Sequence, residues 1–402
     1  MRIRKTLPNY PTKRTHKLKI SKQAQAIGSS PTLALNDKAR SLTAQGKPVI
    51  NLGIGEPAND APGGAIRYTI AQLETRQIKY APTAGTPALR KAIQDYTEKH
   101  YGRRPDIKNI IVTVGAKQSL ANIFYSLINP GEEVILLAPY WVSYPEMVKI
   151  AGGKPVIVPS PTSLVPSLSA IQAAVTLQTK AILLNNPNNP SGVVYPREFV
   201  SALVRFCETE DIYLVMDDIY HQLLYEGYQW VSGYSCTSTS IDDGNLVIVN
   251  GVSKTYGMTG FRIGWTVGPQ KLIQTMTKIQ GQTTSGVTIL AQEGALGALR
   301  EGADDVLSLR ENMRQNRQLM LDALGNFPGV ELVKPGGAFY VLPNFSAYGQ
   351  NSAELAKFLL ENVYVVTVPG SAFGMEGYLR LSYTCPPAQI TEAIRRIREV
   401  LL

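Results

Sequence analysis

Asn109-Ile110-Ile111-Val112-Thr113-Val114-Gly115-Ala116-Lys117-Gln118-Ser119-Leu120 sets the frame for the chain. Five strand-forming residues run without a polar face and stop at a glycine. From there a helical period takes over through Gln118, Leu120, Ile123 and Leu127. A short continuous apolar run bounded by a turn residue predicts a strand buried on both faces. The pattern recurs outward from this stretch. Residues 134–137 precede Pro139-Tyr140-Trp141 and a helix ending at Ile150. Residues 181–184 form a third run, and a helix over 197–210 leads into 212–216. Residues 246–249 and 263–267 complete the series. Runs separated by helices predict a parallel or mostly parallel sheet covered on both faces, with ligands gathered at the carboxyl ends of its strands.

After Gln270 a helical pattern continues with few breaks towards Leu324. The tail then changes character. Residues 330–333, 338–342, 363–368 and 378–383 read as strands, and 390–402 as a closing helix. This is a smaller α+β unit beginning near residue 300, with residues around 30–50 returning to it.

The chain has 402 residues, 44% of them hydrophobic and 18% charged, which suits a globular α/β protein with a sizeable core. The net charge of +9 is unevenly placed. Eight bases precede the first acid, Asp37, and the remainder carries 32 bases against 31 acids. The positive charge therefore belongs to an N-terminal arm, read as a solvated extension. The arm lacks the serines and amphipathic period of a transit peptide and the apolar core of a secretory signal. No nucleic-acid-reading motif accompanies it, so no nucleic-acid partner is expected. No run is long and apolar enough for a membrane span. Cys207, Cys236 and Cys385 are far apart, and the histidines are only His16, His100 and His221. Neither set has ligand spacing, so no metal is expected. A reducing, cytoplasmic location fits the cysteine usage.

Four segments follow strands and carry chemistry. In Val249-Asn250-Gly251-Val252-Ser253-Lys254-Thr255-Tyr256-Gly257-Met258-Thr259-Gly260-Phe261-Arg262-Ile263-Gly264 a lysine sits in a glycine-rich turn directly after an apolar run. Most lysines are solvated, but a buried strand end is costly for an unpaired ammonium. Such a lysine is paired or has a lowered pKa suited to Schiff-base chemistry. The segment Asn185-Asn186-Pro187-Asn188-Asn189-Pro190-Ser191-Gly192 taken alone is a turn. Asp217 in Asp217-Asp218-Ile219-Tyr220 can cap a helix, bind a metal or pair with a cationic ring. Gly115-Ala116-Lys117 opens a helix whose free N–H groups suit a phosphate, although its glycines do not make a P-loop. The Gly257, Gly260 and Gly264 spacing runs into a strand and so is not a dinucleotide fingerprint.

Together and in this order, these features resemble the class I/II pyridoxal-phosphate-dependent aminotransferases of fold type I. The chain looks most similar to their bacterial aspartate/prephenate aminotransferase branch. The resemblance runs from about residue 28 to the C-terminus. It is carried by Lys79-Tyr80-Ala81-Pro82, Pro139-Tyr140-Trp141-Val142-Ser143-Tyr144-Pro145, Asn188-Asn189-Pro190-Ser191-Gly192, Ser253-Lys254, Met258-Thr259-Gly260-Phe261-Arg262-Ile263-Gly264 and Arg380-Leu381-Ser382-Tyr383.

The resemblance implies a large domain with a mostly parallel seven-stranded sheet between helices, plus a smaller α+β domain. The expected division is a basic arm over 1–27, a segment over 28–55 associated with the small domain, a large cofactor domain over 56–300 and a small domain over 301–402. It implies that Lys254 forms the internal aldimine and shuttles the substrate proton. Asp217 would pair with the pyridine nitrogen, Tyr220 and Asn189 with the phenolic oxygen, and Trp141 would stack on the ring. Arg262, Ser253 and the turn Gly115-Ala116-Lys117 would hold the phosphate, helped by Tyr80 from a neighbouring subunit, which implies a homodimer with shared sites. Arg380 would clamp the substrate α-carboxylate, with Asn185 or Asn186 nearby, while Trp141 and Asn189 also face the substrate and Gly55 lets backbone approach it. Lys117, Ser30 and Thr32 would serve a distal carboxylate. The bland reading of these three is a helix-start lysine and two capping hydroxyls. Two departures from the branch stand out: Val252 before Ser253, and Asp218 where glutamate is usual. The expected reaction is ping-pong transamination from L-aspartate or L-glutamate to a 2-oxo acid, best 2-oxoglutarate. The alternatives are an aromatic or prephenate aminotransferase, or another fold type I reaction such as a lyase.

Overall fold

The structure, a computed structural model, describes residues 20–28, 31–349 and 351–402. Twelve strands are numbered in chain order among these residues, and seven of them make one sheet. These are β2 (Ile110–Val114), β3 (Glu133–Leu137), β4 (Lys154–Val158), β5 (Thr179–Asn185), β6 (Tyr213–Asp217), β7 (Leu246–Gly251) and β8 (Ile263–Val267). Their order is β2-β8-β7-β6-β5-β3-β4, and only β8 runs against its neighbours. A parallel return needs a crossover of a dozen or more residues. The connection 252–262 holds only the single turn Thr259–Phe261, so β8 comes back antiparallel.

Alternate residues of the sheet feed two cores. Ile110, Val112, Ile135, Ile182, Leu214 and Ile248 pack on one face. Ile111, Val134, Leu136, Leu183, Val215 and Val247 pack on the other. Burial on both faces is why the sequence shows continuous runs rather than alternation. β4 carries a shorter run, Val156-Ile157-Val158, directly behind Pro155. It is an edge strand with Lys154 and Ile157 exposed, a place where a proline such as Pro155 is tolerated although it argues against a strand in the sequence.

The helical pattern after Gln270 resolves into three helices, Gln270–Thr283, Ile289–Glu301 and Ala303–Gly325. A further core gathers Leu309 and Met313 of the last helix with Phe339, Leu359, Leu381 and Ile394. Its strands are β9 (Tyr340–Val341), β11 (Val368–Pro369) and β12 (Leu379–Ser382), in the antiparallel order β11-β12-β9. Helices Ser352–Val363 and Pro387–Leu401 cover them. β1 (Ile50–Asn51) pairs in parallel with β10 (Val365–Val366). The strand expected over 330–333 does not form; Glu331 makes only an isolated bridge to Asn344. Pro343 beside that bridge has no amide hydrogen with which to extend a ladder.

Candidate active site

The carboxyl ends of β5 and β6 and the turn after β7 open into a cleft with a cavity of about 350 Å³, bounded across from them by Gly55, Tyr340 and Arg380. Lys254 stands in the turn after β7. Its Nζ donates a 2.5 Å hydrogen bond to the Gly55 carbonyl. Burial brings its amine down to about 8; Arg262 and Arg380 act in the same direction, and Glu56 and Asp217 oppose it. An amine with this pKa is partly neutral near physiological pH and so can act as a nucleophile.

Asp217 closes β6 and is buried, which pushes its carboxyl up to about 6. The Tyr144 hydroxyl donates to its Oδ2 at 2.7 Å, and the Ile219 amide lies 3.4 Å from Oδ1. One carboxylate oxygen is therefore strongly held while the other has only a long contact. Tyr144 itself is held well above the usual phenol range by burial and by Asp217, so it remains a donor.

Arg380 lies on β12 and is buried. Its Nη1 donates to Asn189 Oδ1 at 3.1 Å and Nη2 to the Gly53 carbonyl at 2.8 Å, while Nε has no partner. The guanidinium carbon sits 4.6 Å from the Tyr340 ring centroid and 5.1 Å from that of Phe373. The other end of the Asn189 amide donates to the Tyr220 hydroxyl at 3.3 Å, and Tyr220 and Tyr340 share a 3.2 Å hydroxyl contact. Asn189 thus ties Arg380 to Tyr220.

At the opposite wall Arg262 has φ +56° and folds back so that Nη1 donates to the Thr259 carbonyl at 2.8 Å. Gly115 opens the helix Gly115–Leu127 with φ +75°, and a Cβ there would lie 2.5 Å from Arg262 Nη2. Glycine therefore allows a guanidinium to meet a helix N-terminus, which makes an anion cradle. Beside it Lys117 Nζ lies 4.7 Å from the Trp141 ring centroid, and burial, with Arg262 assisting, lowers its pKa.

The structure thus brings together Gly55, Gly115, Ala116, Lys117, Trp141, Asn189, Asp217, Tyr220, Ser253, Lys254, Arg262 and Arg380. It also decides between two asparagines. Asn185 faces the cleft, where its Nδ2 donates to the Asp217 carbonyl and its Oδ1 accepts from the Asn189 amide. Asn186 turns away to accept from the Tyr195 amide. Tyr80 does not join the cleft of its own chain and is 96% exposed. Ser30 lies outside the described residues, as do the surroundings of the Thr32 side chain. Tyr144 and Tyr340 are among the cleft residues given no role by the sequence. Tyr144 had a signal, since it falls three residues after Trp141 in the segment Pro139 to Pro145; in the structure their rings meet edge-on at 5.4 Å. Tyr340 lies within an apolar run and had none.

Residues 47–397 match the protein family described as aminotransferase class I and II. The chain belongs to the class I and II aminotransferases. Among relatives of this aminotransferase, the aspartate/prephenate aminotransferase of Thermus thermophilus is 40% identical over 390 residues, covering 95% of this chain and 98% of the relative. The probable aspartate/prephenate aminotransferase of Aquifex aeolicus is 39% identical over 390 residues, with the same shares. The solved Thermus thermophilus aspartate aminotransferase with maleate superposes with a TM-score of 0.91 at 39% identity, covering 96% of this chain and all of that one.

Enzymes of this class use pyridoxal phosphate, and the residues present fit it. The cleft offers an amine with a lowered pKa, a buried carboxylate with one weakly engaged oxygen, and an anion cradle that a Cβ at residue 115 would fill. The aminotransferase therefore catalyses amino-acid transamination with this cofactor.

Proposed function

We propose that the enzyme moves an amino group from L-aspartate or L-glutamate to a 2-oxo acid, best 2-oxoglutarate, by a ping-pong mechanism. The observation that carries this reading is a pair of cations at separate walls of one cleft. Arg380 and Lys117 both line the cavity, both are depressed by burial, and neither has a carboxylate partner among the described residues. Two such cations suit a dicarboxylate: Arg380 is buried and needs a counter-charge, and Lys117, more exposed, offers a second cation in the same cleft. The names of the Thermus and Aquifex relatives point the same way.

In this reading Lys254 would hold the cofactor through its Nζ, and the same amine would remove and return the substrate's Cα proton. Asp217, oriented by Tyr144, would pair with the ring nitrogen and keep it protonated. Tyr220 and Asn189 would hydrogen-bond the ring's phenolic oxygen, and Trp141 would cover the ring. Arg262, Ser253 and the backbone of Gly115, Ala116 and Lys117 hold the phosphate. Arg380 takes the α-carboxylate, with Asn189 fixing its guanidinium, and Lys117 the distal one. Bound there, pyridoxal phosphate supplies the electron sink for charge developing at Cα.

The reading includes a homodimer in the cytoplasm, with Tyr80 completing the neighbour's phosphate site, and a division into large and small domains near residue 300. Support for the dimer comes from an apolar stripe beside Tyr80. Ile66, Ile70 and Leu73 on the helix Gly63–Glu74, with Ile78 after it, are all exposed. The described residues hold no helix long and apolar enough to cross a membrane.

A single-turnover absorbance measurement on the loaded enzyme tests the proposal. Conversion to the amino form of the cofactor should be fastest with L-aspartate and L-glutamate and be reversed by 2-oxoglutarate. Conversion only by another amino acid overturns the substrate assignment.

A further inference from the structure

A second cavity, of about 570 Å³, lies on the other side of the segment that closes the active site. Asp217 and Tyr220 face the catalytic cleft, while His221 and Gln222, the next residues along, line this second space. Its volume falls inside the span of roughly 300–1,000 Å³ typical of small-molecule sites.

The floor is aromatic. Tyr96, His100, His221, Trp230 and Tyr256 line it. The rings brace one another, with Tyr96 and His100 centroids 4.4 Å apart, His100 and His221 5.8 Å apart, and His221 and Trp230 5.0 Å apart. A hydrogen-bonded chain holds them. Gln222 Nε2 donates to the Tyr96 hydroxyl at 2.6 Å, and that hydroxyl lies 3.1 Å from His221 Nε2. His221 Nδ1 lies 2.9 Å from the Asp218 carbonyl and 3.1 Å from Asn250 Nδ2, so the ring is held at both nitrogens. Burial brings His221 down to about 3, so the imidazole in this floor is neutral.

The rim is cationic. Lys91, Lys99, Arg300 and Arg310 converge on it, and all four are exposed. Asp95 is the one acid among its lining residues, and it is engaged by Arg104 at 2.9 Å and Lys91 at 3.5 Å. Glu301 and Glu311, next in sequence to Arg300 and Arg310, pair instead with Arg67 and Arg314. Among the described residues Lys99, Arg300 and Arg310 therefore have no carboxylate within salt-bridge distance. A braced aromatic floor beneath unpaired cations selects a flat ring that carries an anionic group.

We propose that this cavity is a second binding site, for a small planar aromatic carboxylate. The ring lies against Tyr96, His100 and Trp230, and the carboxylate meets Lys99 and Arg310. The site is separate from the cofactor's, and its occupant touches the segment that carries Asp217 and Tyr220.

Equilibrium binding of 2-naphthoate to the loaded enzyme tests this, with cyclohexanecarboxylate and inorganic phosphate as comparison probes. One saturable 2-naphthoate site per chain is expected. The double variant Lys99→Glu/Arg310→Glu should weaken that site by about tenfold or more, because charge reversal turns two attractions into repulsions. His100→Ala, which removes a ring and leaves the rim charges, should weaken 2-naphthoate but not phosphate. Both variants should retain the parent's cofactor absorbance and turnover, which reports that they are folded. Unchanged 2-naphthoate binding in a folded double variant overturns the site. Equal binding of cyclohexanecarboxylate, or of phosphate alone, overturns the aromatic class of the ligand.

Discussion

The Tyr144 hydroxyl donates a 2.7 Å hydrogen bond to Asp217 Oδ2, with both groups buried. The bond does two things. It fixes the plane of the carboxylate, and it favours the charged form against the burial that pushes Asp217 up to about 6. Hydrogen bonds to charged groups contribute about 1.5–3 kcal/mol. Tyr144→Phe is therefore expected to lower kcat about tenfold or more with little change in KM, since the contact is to the cofactor's partner and not to substrate. The sign of the pH effect follows. Losing a donor raises the Asp217 pKa further, so the acid limb of the kcat profile moves to higher pH. An unmoved limb would show that Tyr144 acts only as packing.

Lys254→Ala should abolish turnover and leave the cofactor bound but not covalently attached, so that borohydride no longer fixes it to the chain. In the parent apoprotein the rate of covalent attachment should rise about tenfold per pH unit below the amine's pKa and level off above it. The break is expected at about 8 rather than near the ordinary lysine value, because burial depresses the amine. Stopped-flow absorbance across pH reads it directly.

Arg380→Leu should raise KM for both amino acid and 2-oxo acid while leaving cofactor affinity nearly unchanged. Truncating one member of a buried charge pair costs about 2–5 kcal/mol, so the loss in kcat/KM is expected to be about thirtyfold or more. A proportional loss of cofactor binding would move Arg380 from the substrate side of the cleft to the cofactor side.

Lys117→Ala separates the two ends of the substrate. The fall in kcat/KM should be large for L-aspartate and L-glutamate and small for L-alanine, which has no distal carboxylate. Equal losses for all three would place Lys117 with the phosphate cradle alone.

Gly115→Ala tests the cradle. A non-glycine residue in the left-handed region costs about 1–2 kcal/mol, and here the added Cβ also meets Arg262 Nη2 at 2.5 Å. Cofactor affinity is expected to fall more than thermal stability does. Equilibrium dialysis of the cofactor beside a melting curve distinguishes the two.

Much of this was legible in one dimension. Runs such as 110–114 and 246–249 disclose a sheet buried on both faces, because such strands are apolar at nearly every position. Motif residues that follow a strand, Asp217, Lys254 and Gly115 among them, also disclose themselves, because the carboxyl edge of such a sheet gathers ligands. The edge strand β4 was masked by the proline in its run, and the strand expected over 330–333 is reduced to a single bridge beside Pro343. What only the tertiary structure decided are relationships between distant segments. It chose Asn185 over Asn186, set Tyr144 against Asp217, placed Tyr340 beside Arg380, and opened a second cavity where helix Pro87–Tyr101 meets helix Ala303–Gly325. Local sequence encodes periodicity and turn chemistry. Which side chains share a hydrogen bond, and which cations are left without a partner, depends on how the elements pack, and no single stretch of sequence contains that information.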